Sequence, residues 1–383
     1  MPEPIVVVLL PLTPLWTGDA GQRGSRIRET GLLGSLRWWY EAIVRGLGRY
    51  ACDPSDPSSG PCVYDENKSL ASICLACQLF GCTGYGRRFR LVVESNGDAG
   101  NPVTVKSKQS QTYFESLNDR TKHRGWRIPP NVAGPFTLFV HPMRPGALDD
   151  FASAAIYHTL RFIERYGALG AKTSHGQGVM KITDWSTLAA LMETDAWIGA
   201  VGVRPAKAGS NPQPAPNLSD FIGATVTLDA AATSKDNWWQ AIPLTGLERF
   251  SFGTDPSWIA SAPALRAQLR GWLRNNANFP GFNGDLRTER HSRMGTIQAP
   301  VGPKSSDIFV THLYKAGDQW CMRIFAFVAK NGSAVALAVR AFLADPAALK
   351  PEIRAGLGAI PVEVATFPTD VRGLLTGEGE KEV

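Results

Sequence analysis

The sequence predicts an α+β fold with two ferredoxin-like (RRM-like, βαββαβ) domains in tandem. Segments with strand and helix patterns follow one another in the order β, α, β, β, α, β over residues 5–185, which is the split βαβ arrangement. A similar pattern recurs after a Pro/Ala/Ser-rich stretch, and 383 residues exceed the length of one typical domain. We therefore expect an N-terminal domain at 1–203, a linker at 204–220 and a C-terminal domain at 221–383.

The N-terminal domain starts with an apolar strand at 5–10, and its first helix is expected to begin near Thr30, a favourable N-cap residue. One face of this helix carries an apolar stripe at three- and four-residue steps, formed by Leu32, Leu36, Trp39, Ile43 and Leu47. Another face carries Arg37, Glu41 and Arg45, and we expect Glu41 and Arg45 to form a solvated i,i+4 pair.

The other elements of this domain follow in order along the chain. They are a short helix within a Cys-rich insertion at 51–82, an alternating strand through Phe89, Leu91 and Val93, a strand at 134–142, a helix at 148–166 and a returning strand after residue 178. Residues 95–131 are polar and basic with few periodic apolar positions, so we expect a long loop or a partly ordered insertion there.

The C-terminal domain repeats this order with a strand at 223–229, a helix near 263–274, strands at 307–315 and 320–329, and a helix at 333–343. Four residues of its first helix match the first helix of the N-terminal domain at one constant offset: Leu265, Leu269, Arg270 and Trp272. This match indicates an internal duplication.

Composition and charge narrow the function classes. Forty Lys and Arg residues against thirty-four Asp and Glu give a formal net charge of +6, which favours a polyanionic partner such as nucleic acid. The apolar start of the chain is too short to cross a membrane and follows Glu3 rather than a basic segment, so we expect a cytoplasmic protein without a membrane partner.

A glycine-rich loop, GALGAKTSHGQG at 167–178, is the first candidate site. It ends a helix and leads into a strand, which is the reverse of a P-loop or a dinucleotide-binding turn. Its glycines permit close approach of the backbone to an extended partner. Lys172 offers a charge to phosphate, and the polar side chains of Thr173, Ser174, His175 and Gln177 offer hydrogen bonds to sugar or phosphate. The alternative is a simple turn that ends the helix at Gly167.

The cysteines point to a metal. Cys74 and Cys77 have the two-residue gap of a zinc knuckle, and Cys52 with Cys62 completes a tetrahedral thiolate set for structural zinc. Cys82 either replaces Cys62 or is a free thiol. Unliganded buried cysteines and a redox CxxC motif are the alternatives. Cys321 lies in an apolar strand and is expected in the core.

Four ordered motifs resemble those of the RAMP superfamily of CRISPR-associated proteins. They are TPLWTGD, RETGLLGSLRWWYEAI, CQLFGCTGYGRRFRLVV and GALGAKTSHGQG, all within residues 5–185. Within the superfamily, the chain is most similar to the first subunits of type III-B Cmr effector complexes. The resemblance implies two ferredoxin-like domains that face each other across a basic cleft. It further implies a role in antiviral defence: the protein would hold the 3′ part of the guide RNA and the paired target RNA, with other Cmr subunits as partners.

These considerations yield a set of candidate RNA-binding residues: Arg23, Arg26, Arg28, Arg37, Trp38, Arg45, Arg88, Gly170, Lys172, Thr173, His175, Gly176, Gln177 and Gly178. Trp38 lies one step off the apolar stripe and is expected either to stack on a base or to pack in the core.

Catalysis is the less favoured hypothesis. In the family that the chain resembles, target cleavage belongs to a different, repeated subunit, which implies that this chain is not an enzyme. The alternative is a metal-independent endoribonuclease that uses Asp19 or His175. Asp19 lies in a region where the related repeated subunits carry a catalytic aspartate, and His175 lies in the glycine-rich loop.

Overall fold

The structure is a computed structural model that describes residues 3–18, 26–56, 60–95, 103–107, 126–128, 134–185, 192–211, 215–245, 256–276, 286–295 and 306–377. The described part is a mixed α/β protein with antiparallel sheets.

The strands are β1 (Ile5–Pro11), β2 (Phe89–Ser95), β3 (Val103–Ser107), β4 (Trp126–Ile128), β5 (Phe136–Pro142), β6 (Met180–Asp184), β7 (Phe221–Leu228), β8 (Leu244–Thr245), β9 (Trp258–Ile259), β10 (Ile308–Val310), β11 (Leu313–Ala316), β12 (Gln319–Phe327) and β13 (Val362–Thr366). The helices are α1 (Glu29–Gly46), α2 (Leu75–Phe80), α3 (Asp150–Tyr166), α4 (Thr194–Val203), α5 (Ala230–Thr233), α6 (Ala262–Asn275), α7 (Leu286–Met294), α8 (Ala334–Ala344), α9 (Pro346–Gly356) and α10 (Val371–Thr376).

The first half contains a four-stranded antiparallel sheet in the order β2-β5-β1-β6. Its strands alternate as expected for a sheet with one covered face: Ile5, Val7 and Leu9 of β1 are buried, and the residues between them are half-buried. Helices α1 and α3 supply the other side of this core, since their apolar stripes belong to the same buried cluster.

The second half contains a sheet in the order β13-β7-β12-β11-β9, and β10 also pairs with β12. The continuous strand expected at 307–315 is divided in two. At the break, the Thr311 backbone N–H donates to the Arg323 carbonyl over 2.9 Å, and the Arg323 N–H donates to Thr311 Oγ1 over 2.8 Å. Helices α6, α8 and α9 pack on this sheet in a second buried cluster.

The segment 95–131, expected as a long loop or a partly ordered insertion, contains β3 and β4, which join β8 of the second half in a small three-stranded sheet. Two other sequence expectations need correction. The first helix has Arg28, not Thr30, at its N-cap, without a side-chain capping bond. Helix α9 and strand β13, which the sequence pattern did not predict, complete the second half.

The two halves share a core. Trp39 and Phe162 of the first half form an aromatic cluster with Phe221, Phe325 and Phe327 of the second, with ring centroids 5.3–6.3 Å apart. Aromatic rings at these distances contribute packing energy and preferred mutual orientations. The halves are therefore held together by buried apolar contact, and the site described below lies beside that contact.

Among the described residues, every helix is too short or too polar to cross a lipid bilayer.

Candidate nucleic-acid interface and cysteine cluster

The glycine-rich loop begins where α3 ends, and α1 fixes this point. The indole Nε1 of Trp39 donates a hydrogen bond of 2.9 Å to the Ala168 carbonyl. A Cβ atom at Gly167 would lie 2.8 Å from the Trp39 ring, so a larger residue does not fit there. The Trp39 of the sequence motif therefore packs in the core and also positions the start of the loop.

The middle of the loop lies against the segment that follows β1. The Ala171 N–H donates to the Trp16 carbonyl over 2.8 Å, and the Gly170 N–H donates to Ser35 Oγ over 3.0 Å. Gly170 has a φ of +85°, and a Cβ there would lie 2.7 Å from the Trp16 carbonyl oxygen. The glycine thus allows close approach of backbone, but the partner at this position is the protein itself.

The tip of the loop carries its exposed polar groups. Lys172 is exposed, adopts the left-handed conformation with φ of +60°, and holds Nζ 5.2 Å from the centroid of the Trp16 ring. A 3-10 turn over Thr173–His175 follows, and its residues are half-buried. The surface that the loop offers to a ligand is therefore Lys172 and this turn.

The first loop brings further cationic residues to the same place. Thr17, next to Trp16, accepts a hydrogen bond of 2.7 Å on Oγ1 from the Arg28 N–H. Arg26 is exposed and Arg28 is half-buried. These contacts place two arginine positions close to the Lys172 tip. Arg23 and Asp19 lie outside the described residues.

The far end of the loop is buried by the second half. The His312 N–H donates to the Gly176 carbonyl over 2.9 Å, and the Gly178 N–H donates to the Pro14 carbonyl over 3.0 Å. The Gln177 side chain is fully buried, with no hydrogen-bond partner among the described residues. In this conformation neither its amide nor the two flanking glycines are accessible to an external ligand, in contrast to the sequence expectation.

A buried arginine from the second half also fixes the start of the loop. The Arg323 guanidinium donates to the Gly167 carbonyl over 3.0 Å, to the Ile163 carbonyl over 3.4 Å and to the Glu164 carbonyl over 2.5 Å. These are terminal carbonyls of α3, where a cation is favoured by the free acceptors and by the helix dipole. Arg323 and His312 thus hold opposite ends of the loop.

The structure gives His175 a histidine neighbour that the sequence did not indicate. Burial, followed by the charge of Lys172, lowers the pKa of His175 to about 4. Burial, followed by the charge of His175, lowers the pKa of His312 to about 3. Both rings are neutral at neutral pH. His312 Nδ1 accepts a hydrogen bond of 3.3 Å from the Ala262 N–H, and the ring is fully buried.

Arg37 and Arg45 do not face a cleft. Arg45 is 3% exposed and donates to the carbonyls of Ala51, Cys52 and Pro216 over 3.1, 2.8 and 2.9 Å. The expected solvated pair of Glu41 and Arg45 is wrong, because Glu41 is also buried, at 4% exposed, and bridges the two arginines. These charged groups pair with one another and with backbone carbonyls inside the protein, because a buried ion is costly without such partners.

Trp38 and Arg88 also make contacts within the protein. Trp38 is half-buried, with edge-on ring contacts to Trp39 at 4.8 Å and to Phe327 at 5.3 Å. Of the two roles left open for it, the structure favours core packing. Arg88 forms an ion pair of 3.1 Å with Asp149, which also caps α3 through the Ala152 N–H.

The four cysteines of the expected metal site come together as a cysteine cluster, formed by Cys52, Cys62, Cys74 and Cys77. Their sulfur atoms all lie within 4.8 Å of one another, and Cys52 Sγ is 3.4 Å from Cys77 Sγ and 3.7 Å from Cys74 Sγ. Zn–S bonds of about 2.3 Å in a tetrahedron place sulfur atoms about 3.8 Å apart, so this donor set fits zinc.

Cys82 and Cys321 lie outside the cysteine cluster, and Cys321 is buried as expected. Arg37 joins the cluster from α1: its Nη2 donates to Cys77 Sγ over 3.3 Å, Nη1 donates to the Gly81 carbonyl over 2.8 Å and Nε donates to Glu41 over 2.7 Å. A hydrogen bond from a cation to a sulfur ligand stabilises the thiolate form that binds metal. Arg37 is thus a neighbour of the clustered thiols and not a cleft residue.

Comparison with known proteins gives one family match. The RAMP superfamily model matches residues 9–181, which include the end of β1, the whole of α1, the cysteine cluster and the glycine-rich loop. A search of the curated proteins finds no significant relative.

Solved structures with a similar arrangement include Cmr1 from Pyrococcus furiosus in its apo form, with a TM-score of 0.43, 11% identity, and coverage of 94% of this chain and 98% of that chain. A chain of the Type III-B Cmr-beta complex bound to cognate target RNA and AMPPnP gives a TM-score of 0.41, 9% identity, and coverage of 88% and 98%. A chain of a Type IV-B CRISPR complex gives a TM-score of 0.31 and 15% identity, with coverage of 56% of this chain and 96% of that chain.

Sequence identity in these structural comparisons is at most 15%, and the match to the family model is confined to residues 9–181. Its match contains every part of the site except the groups contributed by the second half. Over residues 9–181, this chain is similar to the RAMP superfamily.

Proposed function

We propose that this protein is an RNA-binding subunit of a type III-B (Cmr) CRISPR interference complex. The observation that carries the proposal is the exposed cationic surface of Lys172 and Arg26, assembled around Trp16 and Thr17 on a backbone fixed by both halves of the molecule. Cationic side chains on an ordered backbone suit a phosphate chain, because the backbone that carries them loses little conformational freedom on binding.

The fold supports the proposal. We interpret each half as a ferredoxin-like unit, because β6-β1-β5-β2 and β13-β7-β12-β11 both follow the split βαβ order with antiparallel neighbours. The motifs in residues 9–181 resemble those of the first Cmr subunits. This resemblance favours three partners: the 3′ part of a guide RNA, the target RNA paired with it, and other Cmr subunits.

We propose structural zinc as the occupant of the cysteine cluster. Four thiolates would bind the ion, and Arg37 would donate to one of them. The zinc would crosslink the segment from Cys52 to Cys77, whose described residues include little regular structure, next to Arg37 of α1.

We propose that the chain does not cleave RNA. Metal-independent cleavage needs a base and an acid near the reacting atoms. The lowered pKa of His175 leaves it without a proton to donate at neutral pH, and its neighbour His312 is buried beneath the loop.

The test of binding is the affinity of the full chain for a labelled single-stranded RNA across a salt series. Phosphate contacts release counterions, so Lys172→Ala should weaken binding and lower the slope of log K against log salt by about one. Lys235→Ala removes another exposed charge, in the second half, and should leave the RNA affinity and the salt slope unchanged. A wild-type protein without RNA affinity at low salt would refute the proposal.

The test of catalysis uses the same RNA. The wild type, Asp19→Ala and His175→Ala should all leave it intact over long incubation. Cleavage by the wild type that Asp19→Ala or His175→Ala abolishes would establish the endoribonuclease alternative.

A further inference from the structure

A second cationic and aromatic surface lies on the first half, which we call the arginine–tyrosine patch. It consists of Arg87, Arg90, Arg144, Tyr64 and Tyr85. The three arginines are exposed and the two tyrosines are half-buried.

The patch lies at the end of the sheet opposite to the glycine-rich loop. Arg90 of β2 pairs in register with His141 of β5, and the Met143 N–H donates to the Arg88 carbonyl over 2.9 Å, so Arg87 and Arg144 extend beyond this end of the strand pair. Strand β1 starts at this end and runs to the glycine-rich loop at the other. Its seven residues separate the two surfaces by about 24 Å.

The aromatic part of the patch is firmly built. The Tyr64 and Tyr85 rings meet edge to face with centroids 5.2 Å apart, and Arg144 donates to the Tyr85 hydroxyl over 3.2 Å while its guanidinium lies 6.0 Å from the ring centroid. A tight turn holds Tyr85, since it exchanges backbone hydrogen bonds of 2.9 and 3.0 Å with Cys82. A Cβ at Gly84 would lie 2.3 Å from the Tyr64 carbonyl oxygen.

In the part of the chain that the structure describes, no carboxylate lies within ion-pair distance of Arg87, Arg90 or Arg144. The contrast is Arg88, which forms an ion pair with Asp149. Asp65, beside Tyr64, accepts from Asn67 and pairs with Lys68. Three exposed guanidinium groups without a carboxylate partner among the described residues, one of them in contact with a tyrosine, therefore favour a polyanion with planar groups.

We propose that the arginine–tyrosine patch binds a single-stranded stretch of RNA, with the arginines on phosphates and Tyr85 under a base. Proteins that bind single strands without sequence preference place cationic side chains along the phosphate backbone. They also offer aromatic faces on which any base can stack. The proposal rests on the proposed function in taking RNA as the ligand, but its surface is separate from Lys172 and its outcome can be measured independently.

The experiment compares the full-length Arg90→Glu/Arg144→Glu and Tyr85→Ala variants with the wild type on a labelled single-stranded RNA of mixed sequence. The double variant should lower the salt slope by about two, one for each lost phosphate contact. Tyr85→Ala should reduce affinity about tenfold with an unchanged slope, since stacking carries no counterions. Arg354→Glu changes the charge of an exposed arginine on α9 and should match the wild type.

The outcomes separate the two proposals. If Arg144→Lys keeps near wild-type RNA affinity while the double variant loses affinity, the contact depends on charge. Equal unfolding midpoints of the variants and the wild type exclude misfolding as the cause. If Lys172→Ala weakens RNA binding while the patch variants match Arg354→Glu, the patch proposal is refuted and the proposed function stands. If the patch variants bind RNA normally but no longer associate with a Cmr subunit, the patch is a protein surface and the proposal is equally refuted. Absence of RNA binding by the wild type refutes both.

Discussion

The arginine residues of this protein fall into two groups: exposed residues such as Arg26, and buried residues such as Arg45 and Arg323 that donate to backbone carbonyls. Arg37 and Arg45 recur on one stripe of α1, which is typical of a solvated face, yet they lie under the cysteine cluster and the segment before β7. Helical periodicity shows which residues share a face but not which distant segment covers that face. Arg323 was missed for the same reason, because its partners are about 160 residues away in the chain.

Stability should depend on pH through His312. The folded-state pKa of about 3 is below the usual value near 6.5, so below pH 6.5 the unfolded chain binds a proton that the folded chain does not. The stabilisation is complete above pH 6.5 and is lost as the pH falls. Between pH 7 and pH 5, His312 should account for about 2 kcal/mol of lost unfolding free energy, measured by urea denaturation.

The variant that checks this is His312→Asn, whose side-chain oxygen can still accept from the Ala262 N–H. It should lose that part of the pH dependence. His141→Asn, at a half-exposed position on β5, is the control and should retain it. An unchanged pH profile in His312→Asn would contradict the assignment.

At the scale of elements, the sequence predicted the order of strands and helices in the first half and the position of the glycine-rich loop between α3 and β6. It did not predict what lies against the loop. A run of glycines indicates close approach of some partner, and here the partners of Gly170 and Gly176 are the Trp16 backbone and His312. The division between β10 and β11 was missed because both strands are apolar and the break depends on Arg323.

The cysteine cluster should contain one zinc ion per chain, and its removal should loosen the insertion. Cys74→Ser should abolish the zinc found by elemental analysis and lower the unfolding midpoint, because metal binding contributes directly to folding free energy. A chelator should have the same effect on the wild type.

Two other cysteines serve as controls. Cys321→Ser alters a buried thiol outside the cluster, and Cys82→Ser alters the thiol that the sequence could not distinguish from Cys62. Both should retain the metal. A wild-type protein without zinc, or zinc lost from Cys82→Ser but kept in Cys62→Ser, would disprove this ligand set.

At the scale of the whole molecule, the two halves should unfold together. They share the aromatic cluster around Trp39 and Phe221, and Arg323 ties the second half to α3. We expect coincident urea transitions by tryptophan fluorescence and by far-UV circular dichroism. Arg323→Met should move the whole transition, by about 3 kcal/mol, because it leaves several buried carbonyls without their donor.

Arg354→Met, at an exposed position on α9, provides the comparison and should change stability by less than about 0.5 kcal/mol. Two separated transitions in the wild type, or an Arg323→Met effect confined to one of them, would show instead that the halves are independent folding units.

The attachment of Arg323 and His312 to opposite ends of the glycine-rich loop has a practical consequence for anyone who dissects this protein. A truncation product that stops at residue 203 would retain every amino acid of the loop and lose both of the groups that shape it. Weak binding by such a fragment would then report a missing scaffold, so ligand measurements require the undivided polypeptide.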